Sequence, residues 1–142
     1  MDSTTTPLHD VVGLGETPQE IFDALDRIFH FTLDACASVH NHKCAKFYTA
    51  DDNSLEKSWQ GERVYCNPPA RLASQFVYKA IWETRRPDGP GALTVVIVPD
   101  CLDTRPMIEL HAAKKVMPPL GQLGVLDAEG RLCNAIIAVF EP

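Results

Sequence analysis

The run "ALTVVIVPD", residues 92–100, shows no alternation of apolar and polar side chains. A strand with one face in water alternates with a period of two, whereas a strand covered on both faces reads as a continuous apolar run and belongs in the middle of a parallel sheet. Such a strand needs a layer of structure on each side, so it commits the chain to an α/β sandwich. The flanking segments supply those layers. "TPQEIFDALDRIF" has a capping Thr17, Pro18 at the first helical position and Glu20 three residues after the cap. Ile21, Phe22, Leu25, Ile28 and Phe29 then recur at helical spacing, which predicts a helix over about 18–29. "RLASQFVYKAIWETRR" predicts a second helix, with Leu72, Phe76, Ala80 and Ile81 on one face and arginines in the last turn.

Short apolar runs at "HFTLDAC" and "RVYCN" read as further strands, the second stopped by Pro68 and Pro69, which cannot serve a central ladder. "KFYT" and "KKVMPP" are candidates for short strands, residues 55–59 for one helical turn, and "TRPMIELHAA" for another helix. "GQLGVLDAEGRLCNAIIAVFEP" reads as an antiparallel hairpin turning at "DAEG". Phe22, Phe29, Phe31, Phe76 and Trp82 are expected in the core. The expected architecture is an α/β sandwich whose mostly parallel sheet ends in an antiparallel hairpin. In such sheets ligands bind beyond the C-terminal ends of the strands. Asp34, Asn67 and Asp100 each stand at one of those ends.

Size and charge narrow the function. The 142 residues, 45% of them apolar, suffice for one compact domain but not for a catalytic domain with a separate recognition domain. Residues 1–15 read as a flexible lead and 16–142 as that single domain. The longest apolar run is far shorter than the roughly 20 residues of a membrane span, and "MDSTTTPLHD" lacks a signal-peptide pattern. Five cysteines, an odd number, argue for reduced thiols rather than a disulfide framework. A soluble cytoplasmic protein with no membrane partner is expected. The formal net charge of −6 opposes strong stand-alone binding to duplex DNA, because such affinity comes largely from Lys and Arg on phosphates. The basic residues available for it are Arg71, Lys79, Arg85, Arg86, Lys114 and Lys115.

"VYCNPPAR" carries the most chemistry. The amide oxygen of Asn67 and the carbonyl of Pro68 are hydrogen-bond acceptors at a strand end, and two prolines fix the backbone that aims them. "CASVHNHKC" places Cys36, His40, His42 and Cys44 within nine residues. Zinc fingers separate their ligand pairs with a long spacer, so these residues read as buried thiols and surface imidazoles, and no metal is expected.

"TPQEIFDALDRIFHFTLDACASVHNHKCAKFYT", then "SLEKSW", "VYCNPP" and "TVVIVPDCLDT", resemble in type and order the phage DNA N6-adenine methyltransferase family, phage Dam. The resemblance runs from about Thr17 to Phe140. It implies a Rossmann-like methyltransferase sandwich that binds S-adenosylmethionine and methylates adenine in DNA, encoded by a phage or prophage and acting in the host cytoplasm. It places Thr17 and Pro18 near the methionine end of the cofactor, and Asp34 and Cys36 in the first cofactor motif. Asp52 is a candidate for the ribose hydroxyls, as acidic residues are in dinucleotide folds. Asn67, Pro68 and Pro69 match the catalytic tetrapeptide of Asp, Asn or Ser followed by Pro-Pro and an aromatic. The fourth position is Ala70, where the family has a ring that stacks on the flipped base. Tyr65, two residues before Asn67 on the same side of the strand, is a candidate replacement, and Arg71 completes the expected substrate contacts. The alternative is a catalytically silent protein on the same fold, which pairs with or inhibits a protein such as a host DNA-acting enzyme, or forms a homodimer.

Overall fold

The computed structural model describes residues 19–99, 105–112, 114–116, 124–126, 129 and 131–142. Thr17, Pro18, Asp100 and the lead read over 1–15 lie outside them. Helix α1, Gln19–Phe29, buries Ile21, Phe22, Leu25 and Phe29. These residues form one stripe at helical spacing, and Ile28 falls beside it, exposed. Asp26 ends the helix: its carbonyl accepts from His30 N–H (2.8 Å) and its Oδ1 from Phe31 N–H (2.8 Å). His30 takes the left-handed conformation, φ 54°, that commonly terminates a helix.

The strands are β1 Leu33–Asp34, β2 Arg63–Cys66, β3 Leu93–Pro99, β4 Lys114–Val116, β5 Gly124–Leu126 and β6 Leu132–Phe140. The sheet order is β1-β2-β3-β6-β4, with β5 also paired to β6. β1, β2 and β3 run parallel, in register Asp34 to Tyr65 and Tyr65 to Val95. β6 returns antiparallel against β3, and β5 and β6 form the closing hairpin. The antiparallel portion is larger than the sequence suggested, since β4 also lies antiparallel on β6. The segment read as "KFYT" contributes a single parallel bridge, Phe47 to Asp34.

All seven residues of β3 are buried, as its lack of alternation requires. Its two faces meet different partners. Tyr65, Val95, Ile97, Ile137 and Val139 pack under α1. Val64, Cys66, Val96, Val98 and Ala138 pack against the other layer, which contains α2, Ala73–Arg85, and α3, Arg105–His111. This is the expected sandwich. Trp82 departs from the expected core: it is 52% exposed. The buried face of α2 is set by Ala73, Phe76, Val77, Ala80 and Glu83, which turns Trp82 away from the sheet. No helix among the described residues is long and apolar enough to cross a membrane.

Candidate functional site

Because β1, β2 and β3 are parallel, their C-terminal ends share one edge of the sheet. There β1 leads into Asp34-Ala35-Cys36 and β2 into Cys66-Asn67-Pro68. Ala35 N–H donates to the Tyr65 carbonyl (2.9 Å), and the sulfurs of Cys36 and Cys66 are 3.8 Å apart. The two predicted motifs, distant in sequence, are therefore held side by side.

Asp34 organises the loop above this edge. Its carboxylate accepts from Cys36 N–H (3.2 Å) and Lys43 N–H (2.9 Å). Its backbone bonds Lys46 and Tyr48. The side chain is only 3% exposed. Burial raises its pKa above the ordinary 3.8, and the two N–H donors only partly oppose this. Burial likewise pushes the Cys36 thiol well up, aided by Cys66, and Cys44 up to about 12. Neutral thiols here act as packing groups, with little nucleophilic character.

Beside these strand ends lies a largely apolar cavity of about 190 Å³. Its walls come from residues 35–37, Thr49 and Ala50, residues 53–55, Pro69, Leu72 and Phe76. Two 3-10 turns, Ala50–Asp52 and Ser54–Glu56, shape one side. Trp59 anchors them: it is fully buried, stacks on Phe76 with centroids 6.3 Å apart, and donates from Nε1 to Ser54 Oγ (3.2 Å). Asn53 joins the turns in the left-handed conformation, φ 53°, which Asn tolerates better than most residues. Asp52 Oδ2 accepts from Thr49 N–H (2.8 Å) and Thr49 Oγ1 (3.1 Å), and the Thr49 N–H, the larger cause, holds the carboxyl below its usual pKa. Asp52 thus caps the turn whose Thr49 and Ala50 line the cavity.

The Asn-Pro-Pro turn closes the other side. Asn67 and Ala70 are half-buried, Pro68 is buried, and Pro69 and Arg71 are exposed. The Pro69 carbonyl is taken by Leu72 N–H (2.9 Å) in the 3-10 turn Ala70–Leu72 that leads into α2. Among the described residues no hydrogen bond takes the Pro68 carbonyl. Tyr65 does not supply the missing ring. It is 3% exposed, in edge contact with Phe22 (5.0 Å) and Phe31 (5.6 Å), so both of its faces belong to the core under α1. Strand alternation turns it to the face of the sheet that α1 covers.

The structure thus sets Asp34-Ala35-Cys36 beside Cys66-Asn67-Pro68 at one edge, and puts Cys36, Pro69 and the residues flanking Asp52 around the cavity. Sequence reasoning missed the cavity walls Leu55, Leu72 and Phe76 and the anchor Trp59. The signal available for these was the sequence "SLEKSW", whose Trp is too large for a solvated turn. Cys36, His40, His42 and Cys44 do not converge. Cys36 faces Cys66, while His42 stacks on Phe47 at 3.9 Å and its Nδ1 lies 2.8 Å from the Cys44 carbonyl. Among the described residues no group of three or more His, Cys, Asp or Glu side chains could hold a metal.

Residues 3–97 match the DNA N-6-adenine-methyltransferase (Dam) family. The chain is similar to the DNA N-6-adenine-methyltransferase of Haemophilus phage HP1, 39% identical over 70 residues, 48% of this chain and 40% of the relative. It is also similar to the DNA N-6-adenine-methyltransferase of Escherichia phage T1, 40% identical over 80 residues, 55% of this chain and 33% of the relative. The chain thus spans less than half the length of these two curated relatives. With the family match extending over more than half of its residues, and the Asn-Pro-Pro turn inside the matched region, the chain belongs to the DNA N-6-adenine-methyltransferase (Dam) family.

Proposed function

We propose that this chain transfers a methyl group from S-adenosylmethionine to the exocyclic amine of adenine in DNA, in the cytoplasm of a phage-infected or lysogenic host. The observation that carries this reading is the Pro68 carbonyl with no hydrogen bond from the described residues, between Asn67 at the end of β2 and Pro69, which lines the cavity. A buried carbonyl without a donor is costly, and an incoming amine would satisfy it.

The site suits the cofactor in two ways. A cavity of about 190 Å³ is smaller than the roughly 300–1,000 Å³ that encloses a whole drug-sized ligand. It matches one flat ring of such a ligand, and its apolar walls suit an adenine ring. Cys36 borders it just past β1, two residues after Asp34, and Asp52 caps the turn whose Thr49 and Ala50 line it, with Oδ2 bonded to Thr49 and Oδ1 left for a ribose hydroxyl. Thr17 and Pro18 are assigned the methionine end on family likeness alone. When bound, S-adenosylmethionine supplies an electrophilic methyl on a sulfonium.

The residues of the chain do the positioning. Asn67 Oδ1 and the Pro68 carbonyl accept the two amine hydrogens, which turns the nitrogen lone pair toward the methyl. Pro68 and Pro69 restrict the backbone so that both acceptors are aimed before the base arrives. Asn67→Ala should lower methyl transfer to DNA at least a hundredfold, on the scale of losing one preorganised polar group, while cofactor affinity measured by calorimetry is retained. Undiminished transfer by that variant would remove Asn67 from the site.

A further inference from the structure

Arg71, Gln75, Tyr78, Trp82 and Arg85 follow one another at intervals of four, three, four and three residues, so they share one side of α2 and of the turn leading into it. All five are exposed, Tyr78 by 57% and Trp82 by 52%. Single exposed apolar residues are ordinary. Two large rings one turn apart, bracketed by arginines, form a patterned surface.

Its charge is also unlike the rest of the chain. From Arg71 to Arg86 there are four basic side chains and one acidic, a local +3 in a chain of net −6. The one acid, Glu83, is fully buried and engaged by Lys79 and Arg86. Among the described residues no ion pair engages Arg71 or Arg85. The Trp82 ring is oriented from within its own helix and the residue that follows it: Lys79 Nζ lies 5.7 Å and the Arg86 guanidinium 4.9 Å from its centroid. An oriented ring still half in water and two guanidinium groups with no ion-pair partner among the described residues suit a ligand with phosphates and flat rings.

We infer that this stripe of α2 holds the DNA strand that flanks the base in the site, with Arg71 and Arg85 on phosphates and Tyr78 and Trp82 packed against the strand between them. Arg71 is four residues beyond Asn67, so the stripe starts at the site. Fourteen residues of helix span about 21 Å, or about six nucleotides at about 3.4 Å per phosphate of one strand. Such a rail would let an acidic chain engage DNA locally. The inference rests on the proposed DNA substrate, but it makes a separate claim about where the strand lies.

The test uses the intact chain with mixed-sequence DNA longer than that reach. DNA should shield Trp82 from acrylamide quenching, while the buried Trp59 gives the unquenched background. Arg71→Gln combined with Arg85→Gln should reduce the salt slope of DNA binding by about 1.8, which amounts to about tenfold in affinity between about 50 and 200 mM salt. Gln75→Glu, which removes no contact but adds a repulsive charge, should weaken binding, and Arg27→Gln on α1 should leave it unchanged. DNA binding with Trp82 still quenchable and an unchanged slope overturns the inference. So does absence of DNA binding accompanied by concentration-dependent shielding of Trp82, which would make the stripe a face between two copies. Shielding and a changed slope without methyl transfer would uphold the stripe and fail the Asn67 site, so the two readings are told apart.

Discussion

At its N-terminal end α2 opens onto the Asn-Pro-Pro turn and a cavity, and at its C-terminal end it closes around Glu83. A buried acid lies near each end. Asp34, at the end of β1 two residues before the cavity-lining Cys36, accepts only backbone N–H groups, and among the described residues no ion pair reaches it. Glu83 instead meets Lys79 Nζ at 2.7 Å and Arg86 at 2.8 Å. Arg86 reaches on to Ser58 Oγ (2.8 Å) and Asp88 (2.7 Å), and Lys79 to the Lys57 carbonyl (2.6 Å). Near one end, therefore, a buried acid is held by backbone N–H groups alone, and at the other a buried acid is paired with two cations. The difference separates a site from a brace, since a buried group perturbed by desolvation in a cleft is a functional candidate and a paired one is mostly structural.

The largest effect should come from breaking the brace. Glu83→Leu leaves Lys79 and Arg86 facing an apolar side chain. Removing one partner of a buried ion cluster costs about 3–5 kcal/mol. A loss of about 3 kcal/mol is expected in urea denaturation, since both cations can swing toward water. Methyl transfer per folded molecule should be unchanged. A loss of transfer without loss of stability would show that the two ends of α2 are not independent.

The contrast was only partly legible in the sequence. Helix α1, β3 and the closing hairpin could be read because period and caps are local signals, and Asn67 could be read because two prolines mark it. Glu83 looks like any surface acid of a helix: its burial arises only in the fold, where Lys79 and Arg86 engage it and are themselves bonded by Lys57 and Ser58. Trp82 looks like core for the opposite reason, because aromatic identity says nothing about which side of a helix a residue takes. The cavity was invisible because its walls come from three separate segments, which meet beside the stack of Trp59 on Phe76.

A smaller effect should sharpen the site end. Tyr65 is enclosed by Phe22 and Phe31, so within the described site no ring stands where the family places its stacking aromatic. Base-aromatic stacking is worth about 1–3 kcal/mol. Ala70→Tyr should therefore raise kcat/KM for DNA roughly tenfold, and up to about a hundredfold, at unchanged cofactor affinity. Steady-state methylation of a DNA duplex measures it. No gain would mean that the base is already held by another group, and that the open space at this end of α2 serves something other than the missing ring.

The finest test of the comparison is read in a slope rather than a loss. Asp34 titrates near its ordinary 3.8 in the unfolded chain and higher in the folded one, because burial outweighs the N–H bonds from Lys43 and Cys36. As pH rises past 3.8, the unfolded state gives up this proton first. Asp34 then contributes a loss of stability that begins near the ordinary value and is complete above the raised one. Asp34→Asn cannot ionise, so the stability of the natural chain minus that of the variant should fall across this window and be flat above it. Denaturation at a series of pH values gives the curve. A difference that rises instead would mean that the backbone donors overcome burial, making Asp34 as well compensated as Glu83 and removing the distinction between the two ends of α2.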